Sequence, residues 1–151
     1  MISKGARVLI VEARYYEDLA DQLAAGAMTV LAEHDIATVR VAVPGAFEIP
    51  AVIHMAMRAG GGASYDGYIA LGCVLRGETD HYDHICREVS RALMDLATLN
   101  CAPLGFGVLT CATYEQARVR AAVDGKNKGA EAARACVRMM ELKAAMPAVL
   151  T

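Results

Sequence analysis

His81 closes a stretch, Gly72-Cys73-Val74-Leu75-Arg76-Gly77-Glu78-Thr79-Asp80-His81, whose residue types suit anion binding beside a proton carrier. The apolar run from Gly67 to Leu75 predicts a buried strand, and His81 to Asn100 predicts a helix with Ile85, Val89, Leu93 and Leu96 on one stripe. The polar turn between them feeds a helix N-terminus, where free N–H groups and the positive end of the helix dipole converge on an anion such as phosphate. Imidazole titrates near neutrality, so His81 is placed to give and take protons there. A metal reading competes. His81 and His84 could share a helical face, with Glu78, Asp80, Asp83 and Cys86 close by. No third ligand stands elsewhere at a convincing spacing, and acidic residues are favoured at a helix start by the dipole alone, so no metal is expected.

The elements that must hold this turn alternate along the chain. Strands are predicted at Arg7 to Val11, Thr38 to Val43, Gly67 to Leu75 and Leu104 to Leu109. Helices are predicted at Glu17 to His34, Glu48 to Ala59, His81 to Asn100, Tyr114 to Ala122 and Asn127 to Ala145. Leu19, Leu23, Ala27, Val30 and Leu31 recur at helical spacing in the first helix, Pro50 is tolerated in a first turn, and Gly60-Gly61-Gly62 stops the second helix. Strands alternating with helices want a parallel sheet covered on both faces, an α/β fold with ligands at the strand C-terminal ends. Those ends carry Arg14-Tyr15-Tyr16, Gly45-Ala46-Phe47-Glu48 and Arg76 to His81, with Phe106 around the fourth strand, so four loops are expected to share one rim. Aromatics beside strands also serve as core, and an acidic residue at position 48 suits a helix start on electrostatic grounds alone.

Composition restricts the setting. The 151 residues fit one domain spanning 1–151, and a formal charge of −2 without a basic stripe gives no footprint for nucleic acid. Cysteines at 73, 86, 101, 111 and 136 form no C-x-x-C pair and are odd in number, which disfavours a disulfide framework and fits a reducing cytoplasm. The apolar run Val8 to Val11 is too short for a signal segment or membrane span. Apolar residues make up 56% of the chain, much of it alanine, so some apolar surface is expected to face identical subunits.

Three segments in this order, Pro44-Gly45-Ala46-Phe47-Glu48-Ile49-Pro50, Gly72 through His81, and Asn127-Lys128-Gly129 with Arg120 upstream, resemble the 6,7-dimethyl-8-ribityllumazine synthases. The likeness spans nearly the whole chain. It implies a flavodoxin-like three-layer αβα sandwich built into pentamers, with sites between adjacent subunits. It also implies condensation of 5-amino-6-(D-ribitylamino)uracil with 3,4-dihydroxy-2-butanone 4-phosphate, releasing phosphate and water without metal or cofactor.

The resemblance assigns roles residue by residue. Tyr15 occupies the place of a stacking phenylalanine or tryptophan; Ala46, Phe47 and Glu48 match the substrate loop, Glu48 toward the ribityl hydroxyls; Val74 and Leu75 line the site. Gly77, Glu78, Thr79 and Arg120 form the phosphate site, Arg120 coming from the neighbouring subunit, while His81 moves protons. Lys128 aligns with a lysine near the pyrimidine carbonyl, and Phe106 with an aromatic from the adjacent subunit. By themselves, Arg120, Lys128 and Phe106 also read as a surface arginine, a helix-start lysine and a core phenylalanine. Arg76 suits a structural ion pair better than phosphate. Asp124 stands where many relatives have lysine and Ala122 where many have glycine, which makes the phosphate site less positive. A noncatalytic flavin-binding or cage-forming relative is the alternative reading, against which His81, Arg120 and Lys128 weigh.

Overall fold

The computed structural model describes residues 2–59 and 64–151. The predicted stop at Gly60-Gly61-Gly62 therefore lies outside the described residues. Strand β1 (Arg7–Ala13) leads to α1 (Glu17–Glu33), β2 (Ala37–Val43), a 3-10 turn (Ala46–Glu48) and α2 (Ile49–Arg58). The chain continues through β3 (Gly67–Leu75), α3 (His81–Leu99), β4 (Leu104–Cys111), α4 (Tyr114–Ala121) and α5 (Lys128–Val149). The strands form one parallel sheet in the order β2-β1-β3-β4. This is the α/β fold expected from the alternation of elements, in the flavodoxin-like sandwich that the family resemblance implies.

Side chains of successive strand residues point to opposite faces. Val8 and Ile10 of β1 pack with Leu19, Leu23, Ala27, Val30 and Leu31 of α1, Ala117 of α4 and Ala133 of α5. Leu9 and Val11 enter a second core with Ile49 and Ile53 of α2 and Val89 and Leu93 of α3. Ile85 and Leu96 complete the predicted α3 stripe as partly buried neighbours of that core. The sheet is thus covered by α1, α4 and α5 on one face and by α2 and α3 on the other.

Two element edges differ from the sequence expectation for local reasons. The second helix was expected to begin at Glu48, but a 3-10 turn occupies Ala46–Glu48 and α2 starts at Ile49, with Pro50 in its first turn. Proline needs no amide partner there, and the tighter turn swings Phe47 outward. The last helix continues past Ala145 through Pro147 to Val149, because a proline in an exposed terminal turn removes only one backbone bond.

Helices α1 and α5 approach at glycines. A Cβ on Gly129 would lie 2.0 Å from the Leu23 carbonyl oxygen, and one on Gly26 would lie 2.1 Å from Asn127 Oδ1. Asn127 sits before α5 in the left-handed region at φ 48°, a conformation asparagine tolerates better than bulkier residues. A Gly129→Ala substitution must push the helices apart. We expect it to cost roughly 1–3 kcal/mol, read as a lowered urea midpoint; an unchanged midpoint would mean that the helix contact yields freely.

Candidate active site

Strand β1 is the point at which the chain changes direction, since β2 lies on one side of it and β3 on the other. Connections leave this point in opposite directions, so the space above the strand C-termini stays open. A cavity of about 730 Å³ lies there. Ala13, Tyr15 and Tyr16 border it after β1, Pro44 to Glu48 after β2, Cys73, Val74 and Leu75 at the end of β3, and His81 and Ile85 on α3.

Each loop presents its residues for a local reason. Tyr15 is 76% exposed and meets Tyr16 edge to face, with ring centroids 4.9 Å apart at 79°. The 3-10 turn buries Ala46 beneath the cavity and leaves Phe47 61% exposed above it. Glu48 precedes α2, yet its side chain makes no capping hydrogen bond. Its carboxylate lies over Gly45, whose added Cβ would meet Glu48 Oε2 at 3.3 Å. Helix capping therefore does not account for this residue, and its oxygens remain available to the cavity. His81 and Ile85 stand one turn apart on α3, which gives the mouth one polar and one apolar contact.

The turn before His81 is exposed from Arg76 to Asp80. Among the described residues, the amides of Gly77, Glu78 and Thr79 make no hydrogen bond, whereas the His81 amide donates to Thr79 Oγ1 at 3.4 Å. Arg76 spans this turn. Its Nη2 donates to Asp83 Oδ1 at 3.1 Å and its guanidinium lies 4.4 Å from the Tyr82 ring centroid, the structural pairing expected for it. His84 Nε2 lies 3.1 Å from Asp80 Oδ2. Among the described residues no three His, Cys, Asp or Glu side chains gather as metal ligands, so the set required by a His81/His84 metal site is not assembled.

Arg120, Lys128 and Phe106 do not border the cavity. Arg120 donates to the Gln116 carbonyl on its own helix at 3.1 Å, and Lys128 Nζ donates to Glu131 Oε2 at 2.7 Å. Both belong to helices on the sheet face away from α3. Phe106 is 47% exposed within edge strand β4, opposite Ala70, and not in a loop at the rim. Three strand ends, not four, build the rim within one chain. Asp124 and Ala122 lie in the tight connection after α4, where the Gly125 amide donates to Ala122 at 2.9 Å and the Lys126 amide to Val119 at 2.9 Å.

Sequence reasoning gave no role to Cys73, and Tyr16 was seen only as a neighbour of Tyr15. Strand alternation is the missed signal: near the open end of β3, neighbouring residues on both faces reach the cavity. Burial pushes the Cys73 thiol up to about 12. Burial also raises Tyr16, helped by nearby Cys73 and Tyr15. Below the rim, burial draws the Glu12 carboxyl upward, but hydrogen bonds and charge from Arg40 and Arg14 outweigh it and leave a net downward shift.

The sequence model of the 6,7-dimethyl-8-ribityllumazine synthases matches residues 5–144. The chain belongs to this lumazine synthase family. It is 53% identical over 144 residues to the 6,7-dimethyl-8-ribityllumazine synthase of Methylorubrum extorquens (strain PA1), covering 93% of this chain and 83% of the relative. The synthase of Agrobacterium fabrum (strain C58 / ATCC 33970) is 50% identical over 138 residues, covering 90% and 93%. Rhodopseudomonas palustris (strain ATCC BAA-98 / CGA009) has a relative named 6,7-dimethyl-8-ribityllumazine synthase 1, 49% identical over 145 residues, covering 92% and 86%. Membership makes the chain an enzyme, a transferase of riboflavin biosynthesis. Among the described residues no helix is long and apolar enough to cross a membrane.

The raised Cys73 thiol gives a lumazine synthase cavity wall that is chemically quiet. At pH 8 only about one thiol in 10⁴ is ionised for a group near 12. Iodoacetamide should therefore modify exposed Cys101 and spare Cys73 in the native protein, with all five cysteines modified after denaturation. Peptide mass spectrometry reads the pattern, and rapid native labelling of Cys73 would contradict it.

Proposed function

We propose that the β1/β3 cavity is where this lumazine synthase joins 5-amino-6-(D-ribitylamino)uracil to 3,4-dihydroxy-2-butanone 4-phosphate. The observation that carries the reading is the convergence of Tyr15, Ala46, Phe47, Glu48, Val74, Leu75 and His81 on one cavity from three strand ends. Tyr15 offers a face for the flat pyrimidinedione, and Phe47 closes over it. Glu48 accepts hydrogen bonds from the ribityl hydroxyls. Val74 and Leu75 form the apolar wall. The free amides of Gly77, Glu78 and Thr79, with the Thr79 hydroxyl, cradle the phosphate beside the dipole of α3.

The reaction requires several proton movements. The uracil amine attacks the ketone, water leaves to give an imine, phosphate is eliminated, and a second condensation closes the ring with loss of water. His81 serves as acid and base in these steps, worth typically about 10²- to 10⁴-fold. Holding both substrates together supplies much of the remainder. No metal or cofactor has a role in this scheme.

Arg120, Lys128 and Phe106 join the site from a neighbouring copy. Their distance from the cavity within one chain supports this reading, as does the exposure of Phe106 on an edge strand. The assembly we propose is a ring of identical subunits, a pentamer or a closed particle built from pentamers, with each site shared across a boundary. Residues 1–151 act as one domain, since one sheet carries both cores. Five unpaired cysteines support a cytoplasmic location.

Kinetics separate the roles. His81→Ala should lower kcat by about 10²-fold or more and leave the KM for the butanone phosphate nearly unchanged. Arg120→Ala should raise that KM about ten- to a hundredfold, the worth of a charge-assisted contact. Full turnover by His81→Ala across neutral pH would assign the protons elsewhere.

Shared sites also predict complementation. Refolding equal amounts of the His81 and Arg120 variants together should recover about a quarter of sites, because each boundary needs an intact group from both sides. Variants refolded separately and then mixed are the control. Verified mixed oligomers without any gain would place both residues in one subunit's site.

A further inference from the structure

We propose that Arg14 is a positioning residue, which fixes the turn carrying Tyr15 by tying the end of β1 to α1. The inference rests on the stacking role given to Tyr15 above. Glu12 is the one buried charged residue among those described, at 2% exposure. Arg40, from edge strand β2, grips its carboxylate with Nε at 2.7 Å from Oε2 and Nη2 at 2.9 Å from Oε1. This bidentate pair already compensates the buried charge.

Arg14 adds a further contact. Its Nη1 donates to Glu12 Oε1 at 2.5 Å while its Nη2 donates to the Asp21 carboxylate on α1. One guanidinium therefore bridges a carboxylate anchored to the sheet and another on the second turn of the helix. Between Arg14 and the first residue of α1 lie only Tyr15 and Tyr16. The start of α1 is also held from α4, where the Tyr114 hydroxyl donates to the Asp18 carboxylate. Tyr15 itself is mostly exposed, with its neighbour Tyr16 as its aromatic contact, so its placement must come from the backbone beneath it. Since Arg40 alone can satisfy Glu12, the effect of Arg14 falls on the geometry of this turn. A preorganised aromatic face binds its ligand without first being ordered, and losing that order weakens binding.

The test is a kinetic cycle on the intact protein with both substrates. Arg14→Met keeps an apolar stem, removes both bonds and leaves Glu12 paired with Arg40. It should raise the KM for the ribitylaminouracil by about tenfold, with the KM for the butanone phosphate changed by less than about twofold. Arg14→Lys, unable to reach both carboxylates, should fall between, and Asp21→Asn should shift the same KM in the same direction. Tyr15→Ala should raise it too, and adding Arg14→Met to Tyr15→Ala should have no further effect, because the first residue acts through the second. If Tyr15→Ala raises the KM but folded Arg14→Met, Arg14→Lys and Asp21→Asn do not, the positioning role is wrong. A full additional loss in the double variant also overturns it. An unchanged KM in Tyr15→Ala would instead overturn the stacking reading on which the inference stands.

Discussion

Everything at the functional end of this molecule depends on the reversal of winding at β1. Parallel strands need crossover connections, and each crossover covers one face of the sheet. The connection from β1 to β2 places α1 on one face, and the connection from β2 to β3 returns past β1 with α2 on the other. Neither covers the strand ends. The open site follows from topology, and its lining follows from which residues happen to lie just beyond each strand.

Small residues line the approach of α1 to α5. Ala24, Ala27, Ala130 and Ala133 lie in one core with Gly26 and Gly129 at the helix approach, so α1 and α5 sit close together instead of sharing a thick layer of large residues. Close packing of this kind gains dispersion contacts but tolerates little enlargement. Several large apolar residues also lie outside the two cores. Met55, Met94 and Leu99 are exposed on α2 and α3, and Phe106 on β4. Subunit association, as proposed for the shared site, would remove such surface from water.

The proposed site divides into groups that one chain brings together and groups that it does not. His81 is set by the first turn of a long helix, Phe47 by a 3-10 turn, and Tyr15 by a turn tied to the buried Glu12 cluster. Each of these positions lies within, or two residues from, a secondary-structure element. Arg120 and Lys128 are equally close to packed helices, but those helices cover the other sheet face. No rotation of their side chains alone makes them part of the same wall.

Sequence by itself determined the fold class and most of the cavity lining. Apolar runs and helical spacing placed the strands and helices in order, and the parallel arrangement then required the strand ends to meet, bringing Tyr15, Phe47, Glu48 and His81 together. Motif order also revealed the family. Local chemistry was less legible: the tight turn at Ala46–Glu48 and the role of Cys73 depend on packing and on the open end of β3, which carry no strong sequence signal. Tertiary structure alone decided that Arg40 reaches across from β2 to neutralise Glu12, because contacts between side chains 28 positions apart arise from strand register and not from spacing along the chain. It also decided that Phe106 stays exposed, since its side chain lies on the α2/α3 face of an edge strand and its exposure depends on how far those helices reach over it.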